Sequence, residues 1–252
     1  MFCPHCGKEI AEGQVFCQHC GARLIEAAPV PVAGVREKTP WEDRESRGFL
    51  RGLFSTMSDV LFHPSVFFKK MPVTGGLTDP LLYALIVGMA GLIFSYFWQI
   101  LLQGAMQDFM LPGMKAAAAQ KMFGGIVMAV LAFFSPFLVI LGLFITSGIL
   151  HVFLMLVRGA RAGFEATFRV VAYGYSAYII LVIPFCGSFL AAVWAVVLAI
   201  IGLREAHETT GGKAAFAVFL PVVVCCGLIF VAIALFMGAA AVSLGTMIQM
   251  QK

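Results

Sequence analysis

Charge is what this chain has least of. Asp, Glu, Lys and Arg make up 12% of its 252 residues while 61% are hydrophobic, a shortage that excludes a water-soluble domain because too little polar surface remains to cover one. With a mean hydropathy of +0.95, lipid must be the solvent for most of the chain. The basic residues behind the net charge of +4 are scattered around apolar stretches rather than gathered in one tract, so no nucleic acid is expected as a partner. A secretory signal is also missing: the chain opens Met1-Phe2-Cys3-Pro4-His5-Cys6 and its first long apolar run begins near Leu81, so the first span is expected to do the targeting. Nor do the seven cysteines make a disulfide framework. Four sit in two C-x-x-C pairs at the start, and Cys186, Cys225 and Cys226, inside apolar stretches, are expected as small buried hydrophobes.

Catalytic constellations are lacking as well. His207-Glu208-Thr209-Thr210-Gly211 begins like a zinc-protease H-E-x-x-H but ends in glycine, without the second ligand. Gly174-Tyr175-Ser176-Ala177-Tyr178 lacks the closing glycine of a nucleophile elbow, and no G-x-x-x-x-G-K-[ST] occurs. The expectation is a protein that is not an enzyme.

What is present begins with a duplicated knuckle. FCPHCGKEI is echoed fourteen residues later by FCQHCGARL, so Cys3, Cys6, Cys17 and Cys20 can aim four thiolates at one tetrahedral zinc. A glycine after each pair permits the tight turn whose N–H groups support the sulfurs. Four soft ligands leave no open position for a substrate water, so the Zn2+ is read as structural. A redox reading of C-x-x-C would need a βαβ setting that this segment is too short to provide. The segment resembles the short zinc-ribbon module common at the N-terminus of bacterial membrane proteins, which sets the first domain at 1–24.

A flexible linker is expected over 25–46, where Pro29, Pro31 and Pro40 oppose regular structure. Beyond it Phe49, Leu50, Leu53, Phe54, Met57, Val60 and Leu61 recur at helical spacing opposite Arg47, Arg51, Ser55, Ser58 and Asp59. Interfacial amphipathic helices are therefore expected over 47–80, broken at His63-Pro64, with Lys69 and Lys70 among headgroups.

The membrane domain, 81–252, is read as five spans at about 81–103, 126–157, 170–185, 187–203 and 214–244, each set against the ~20 residues that cross a hydrocarbon core of about 30 Å. Pro136 should kink the second. The stretch from 170 to 203 is interrupted by Pro184-Phe185-Cys186-Gly187-Ser188, and charge decides its parity. Arg158, Arg161 and Arg169 precede it while Arg204 and Lys213 follow it, so if both loops are cytoplasmic the stretch is a helical hairpin. With the N-terminus inside, Lys115, Lys121 and Lys252 fall outside, and the ribbon lies in the reducing cytoplasm where thiolates stay available to a metal. The expected fold is an all-α membrane bundle of five transmembrane helices plus a small four-cysteine zinc ribbon, in a multi-pass protein of a bacterial inner membrane.

Two sets of polar residues stand out. Arg204, Glu205 and His207 lie in a loop that could pair with Arg161, Glu165 and Arg169 of a second loop on the same side, as interfacial ion pairs or as a partner-docking face. Within the spans His151 is the most notable ionisable group, and with Gln99 and Gln103 it forms a candidate intramembrane polar site. No Asp or Glu accompanies it in a span core, so an ion-coupled transporter would lack its usual carboxylate.

The region from about Phe49 to Leu244 resembles the Yip family, the Ypt/Rab-interacting membrane proteins of the Yip-one type. The resemblance rests on LFHPSVFFKKMP before the membrane, on clustered spans, on FEATFRVVAYGYSAY leading into the third, and on GLREAHETTGGKAAFAVFLP joining the fourth to the fifth. It implies the membrane topology and a non-enzymatic, scaffold-like role; the fused ribbon resembles a bacterial arrangement. Two functions are carried forward. The first is a membrane scaffold or adaptor whose ribbon recruits a cytoplasmic protein, with the lipid bilayer as its other partner and oligomerisation open. The second is a small-solute or lipid transporter regulated by the ribbon. A water-filled cavity lined by Gln99, Gln103 and His151 would favour transport; a tight bundle with Gly and Ala at its contacts would favour the scaffold.

Overall fold

The structure is a computed structural model that describes residues 6–9, 18–20, 36–110 and 118–250, without the side chains of 103–123, 235 and 238–250. The chain divides into two units, Met1–Val35 and Arg36–Lys252. In the first, the turn at Cys6 leads into Gly7 at a φ of 69°, the left-handed conformation that favours glycine.

The second unit is helical among its described residues. Short α1 (Arg44–Arg47) leads to α2 (Phe49–Phe62) and α3 (Pro64–Lys70), followed by α4 (Thr78–Met110), α5 (Ala118–Leu156), α6 (Gly163–Gly174), a 3₁₀ segment (Tyr175–Val182), α7 (Gly187–Ala206) and α8 (Gly211–Met250). The His63-Pro64 break stands as expected: α2 ends at Phe62, and Pro64 opens α3, where its missing N–H costs nothing. One face of α2 packs through Gly52, Thr56 and Val60, leaving Leu50 and Phe54 exposed.

Among the described residues four helices, not the expected five, are long and apolar enough to cross a membrane: Thr78–Leu102, Gly124–Leu156, Gly187–Ala206 and Gly211–Ala234. The correction falls on 170–185. That stretch is split between the end of α6 and the 3₁₀ segment, and α6 carries the charged Glu165 and Arg169. The hairpin itself is present, because the turn at 183–186 brings Gly187 back against Ile180 and Gly202 against Val170. Its outgoing arm, however, starts at Gly163.

This arm is the most enclosed part of the bundle. Ala166 through Val170, with Ala172 and Tyr173, are buried, and the arm is packed by α4, α5 and α7. It runs parallel to α4, since Tyr83 meets Ser176, Gly91 meets Tyr178 and Trp98 meets Val182. Small residues make these approaches: a Cβ at Gly202 would lie 2.5 Å from Val170, and one at Gly91 would lie 2.7 Å from the Tyr178 carbonyl oxygen. Close backbone contact of this kind is how helices associate where lipid removes the hydrophobic driving force.

Two further expectations meet a different outcome. The linker expected over 25–46 gives way at Arg36 to docked chain: Thr39 and Trp41 are buried, and the Glu37 amide donates to the Lys70 carbonyl. Cys186, Cys225 and Cys226, expected inside, are exposed, the first in the turn before α7 and the other two on the surface of α8, where the surrounding solvent of an apolar span is lipid.

Candidate functional site

Charge and polarity collect at the end of the bundle where α4, α6 and α8 begin and where α5 and α7 finish. Trp41 ties this end together: its amide donates to Thr56 Oγ1, and its indole Nε1 donates to the Asp79 carbonyl, at 2.8 Å each. Arg44 stacks over the Trp41 ring and pairs with Asp79.

At the centre is an ion pair between Arg169 on α6 and Glu42, 2.5 Å apart, with side chains 2% and 6% exposed. A buried pair is tolerable only when its remaining donors and acceptors are satisfied. Here the Tyr173 hydroxyl donates to the same Glu42 oxygen at 2.8 Å and meets the Thr39 hydroxyl at 3.1 Å, while Arg169 Nε donates to Glu165. Glu165 in turn accepts from the Gly76 amide at 2.7 Å. Gly75 and Gly76 both have positive φ, and a Cβ on Gly75 would press on the Arg169 guanidinium at 3.2 Å. Gly75 thus stands where a side chain would crowd the arginine beneath the loop.

A second network joins the end of α7 to the start of α6. The Ala162 amide donates to His207 Nδ1 at 3.1 Å, His207 Nε2 meets Thr167 Oγ1 at 2.9 Å, and Thr167 Oγ1 meets His151 Nδ1 at 2.8 Å. An amide only donates, so Nδ1 of His207 accepts and its neutral ring carries hydrogen on Nε2. That hydrogen goes to Thr167, whose hydroxyl is then free to donate to His151. Burial, followed by the nearby His151 and Arg36, pushes the His207 pKa down to about 4. The unfolded ring titrates near ~6.5. It binds its proton first as pH falls, so stability present above about 6.5 is lost progressively toward 4. Lowering the pH from about 7 to about 5 is expected to cost about 1–2 kcal/mol by this group, read as a drop in the thermal midpoint that His207→Gln reduces.

Arg36 closes the same junction, donating to the carbonyls of Met71, Glu205 and Ala206 and pairing with Glu208 at 3.1 Å. Arg161 donates to the Glu208 carbonyl, and Lys213 donates to that of Arg158.

The residues singled out from sequence are therefore distributed as follows. Arg161 does meet the 204–208 loop, through Glu208. Glu165 and Arg169 do not; they turn toward Gly76 and Glu42. Arg204 and Glu205 pair with each other. Arg169 and His207 are buried, so neither presents a surface to a partner in this arrangement. His151 belongs to the polar junction, whereas Gln99 is exposed beside Trp98, whose indole reaches the far end of the 3₁₀ segment. The two lie toward opposite ends of the bundle. The side chain of Gln103 lies outside the described residues, as do Cys3 and Cys17. Glu42, Thr39, Thr167 and Arg36 are not legible from sequence as site residues, since each bonds to chain far away in sequence and no local spacing marks it.

For a metal, the available geometry is that of the first knuckle. Cys6 sits in a turn, and Gly7 directly after it has the positive φ that the tight turn of a metal knuckle uses. Among the described residues no group of three or more His, Cys, Asp or Glu side chains is gathered to hold a metal ion.

A family model described as the Yip1 domain matches residues 58–246, and one described as a zinc-ribbon domain matches residues 2–24. No curated protein and no solved structure matches the chain.

Proposed function

Because the chain belongs to the Yip1 domain family, as a multi-pass membrane protein with an N-terminal zinc-ribbon domain, we propose that it is a non-enzymatic membrane scaffold whose ribbon recruits a cytoplasmic protein. In this reading Cys3, Cys6, Cys17 and Cys20 hold a structural Zn2+, which supplies the ribbon's fold and no reaction. The observation that carries the scaffold reading is the way the bundle closes. Glycines 91, 187 and 202 admit neighbouring side chains or backbone to contact, and Gln99 and His151 lie toward opposite ends of the bundle. A transport path would need the opposite: polar side chains facing one another along the bundle.

Orientation follows from where the basic residues gather. Arg36, Arg158, Arg161, Arg169, Arg204 and Lys213 all lie at the polar end. The positive-inside rule makes that end cytoplasmic, here of a bacterial inner membrane. The exposed members of the two loops, with Arg204 foremost, then form a docking face of the helical unit on the cytoplasmic side. If the Gly163–Val182 arm completes a crossing beside the four apolar helices, the C-terminus lies outside.

The test is crosslinking of the intact protein in its native membrane, comparing the unmodified chain with the Cys3→Ser/Cys6→Ser variant. Specific crosslinked partners should be present and should disappear with the ribbon. A partner set unchanged by the substitutions rejects recruitment by the ribbon.

A further inference from the structure

Three tyrosine hydroxyls lie in the apolar zone of the bundle without a hydrogen-bond partner among the described residues. They belong to Tyr96 on α4 and to Tyr175 and Tyr178 on the 3₁₀ segment. Together with Gly88, Ser135 and Val139 these tyrosines line one cavity of about 260 Å³. The neighbouring aromatic donors are paired instead. Tyr83 bonds Ser176 at 2.7 Å, Tyr173 bonds Glu42, and Trp98 bonds the Val182 carbonyl. Tyr178 is 38% exposed and Tyr96 and Tyr175 are half-buried, so part of each meets lipid, where a hydroxyl without a partner costs free energy. Three such tyrosines lining one cavity are therefore a ligand-side feature.

The local backbone points the same way. Only here does the bundle's central arm leave α-helical geometry, as the eight-residue 3₁₀ segment, longer than such runs usually extend. The tighter winding places Tyr175 and Tyr178 edge to face at 4.8 Å, both packed toward α4. Gly88 and Gly91 make room: a Cβ at Gly88 would fall 2.9 Å from the Tyr175 ring. At about 1.5 Å per residue, Gly88 and Tyr96 lie roughly 15 and 27 Å along α4 from Thr78, which sets the cavity in the half of the membrane away from the charged end.

We infer that this cavity binds a lipid-soluble molecule through a hydrogen-bond-accepting carbonyl, with the tyrosine hydroxyls as donors and the walls of α4 and α5 holding its apolar body. At about 260 Å³ the space is below the range of whole drug-sized sites, so it takes one ring or the carbonyl and adjoining chain, while the rest of the molecule lies along the helices in lipid. A phospholipid ester and a quinone ring both supply that carbonyl. The site is independent of the scaffold reading.

The experiment labels the full-length protein in nanodiscs with a diazirine-bearing phosphatidylethanolamine and, in parallel, with an azido-quinone, and maps adducts by mass spectrometry. Labelling by one probe should concentrate on the peptides spanning 88–96, 135–139 and 175–181, and that probe names the source of the carbonyl. In Tyr175→Phe/Tyr178→Phe, labelling there should fall about tenfold. The thermal midpoint without probe should not fall, because the hydroxyls removed have no protein partner to lose. Adducts from both probes spread evenly over the lipid-facing residues of α5 and α8, or labelling indifferent to the double variant, would overturn the inference. A Tyr175→Phe/Tyr178→Phe chain that melts lower without ligand would do so too, since the hydroxyls would then be structural.

Discussion

Arg169→Met should destabilise the purified protein by about 3–5 kcal/mol, the usual consequence of leaving one member of a buried ion pair without its partner. The stranded group is Glu42, 6% exposed, with only the Tyr173 hydroxyl and the backbone of its own turn left to satisfy it. The carboxylate must then either take up a proton or leave its site. Leaving means undocking the segment that carries Thr39 and Trp41, so the loss has a local signature. Trp41, 1% exposed in the native chain, should shift its fluorescence to longer wavelength, and trypsin should gain access to Lys38, Arg44 and Arg47. The double variant Arg169→Met/Glu42→Gln separates charge from packing. It should recover a large part of the lost stability, because neither partner then strands a charge; equal losses in single and double variants would show that shape, not the ion pair, holds the segment.

Removing zinc with a chelator should unfold residues 2–24 while leaving the helical unit's melting behaviour unchanged. A core this small cannot be held by apolar burial, and zinc supplies an apparent energy of about 10–16 kcal/mol in finger peptides at neutral pH. The effect is thus the largest expected for any perturbation of the chain, and it is confined to one of its two units. Zinc content measured by mass spectrometry should be one per chain and should be lost in Cys3→Ser/Cys6→Ser. A protein that keeps its ribbon protease-resistant after metal removal would refute the structural assignment of the metal.

How far the sequence can be read depends on the range of the interactions involved. Runs such as Leu81–Gln103 announce a spanning helix by composition alone, and His63-Pro64 announces a break through proline geometry. Both stand in the structure. Composition misleads where tertiary contact decides. Residues 36–46 have the proline and the charges of a tether, yet Trp41 fills the junction between α2 and α4, and Glu42 finds an arginine 127 positions away. The central arm reads as starting at Val170 rather than Gly163 for a related reason: Glu165 and Arg169 look like loop charges until Gly76 and Glu42 are known to meet them. The ribbon is legible because its chemistry is local, with four cysteines and two glycines carrying the pattern, and the zinc-ribbon domain match covers 2–24. His151 can be singled out as an intramembrane ionisable residue, but not its link through Thr167 to His207, which needs three helices in place.

The central arm also sets a problem for biogenesis. Gly163–Val182 is the arm least able to partition into lipid by itself, because it carries Arg169, and an arginine costs up to about 3 kcal/mol when an inserting helix takes it into the bilayer. During synthesis it emerges before α7, against which it packs. The docked segment bearing Glu42, already made, can neutralise that arginine as soon as it appears. The chain therefore carries near its beginning the counter-charge that its middle needs in order to be inserted, and loss of Glu42 should show up first as degraded nascent protein and only afterwards as a lower melting point.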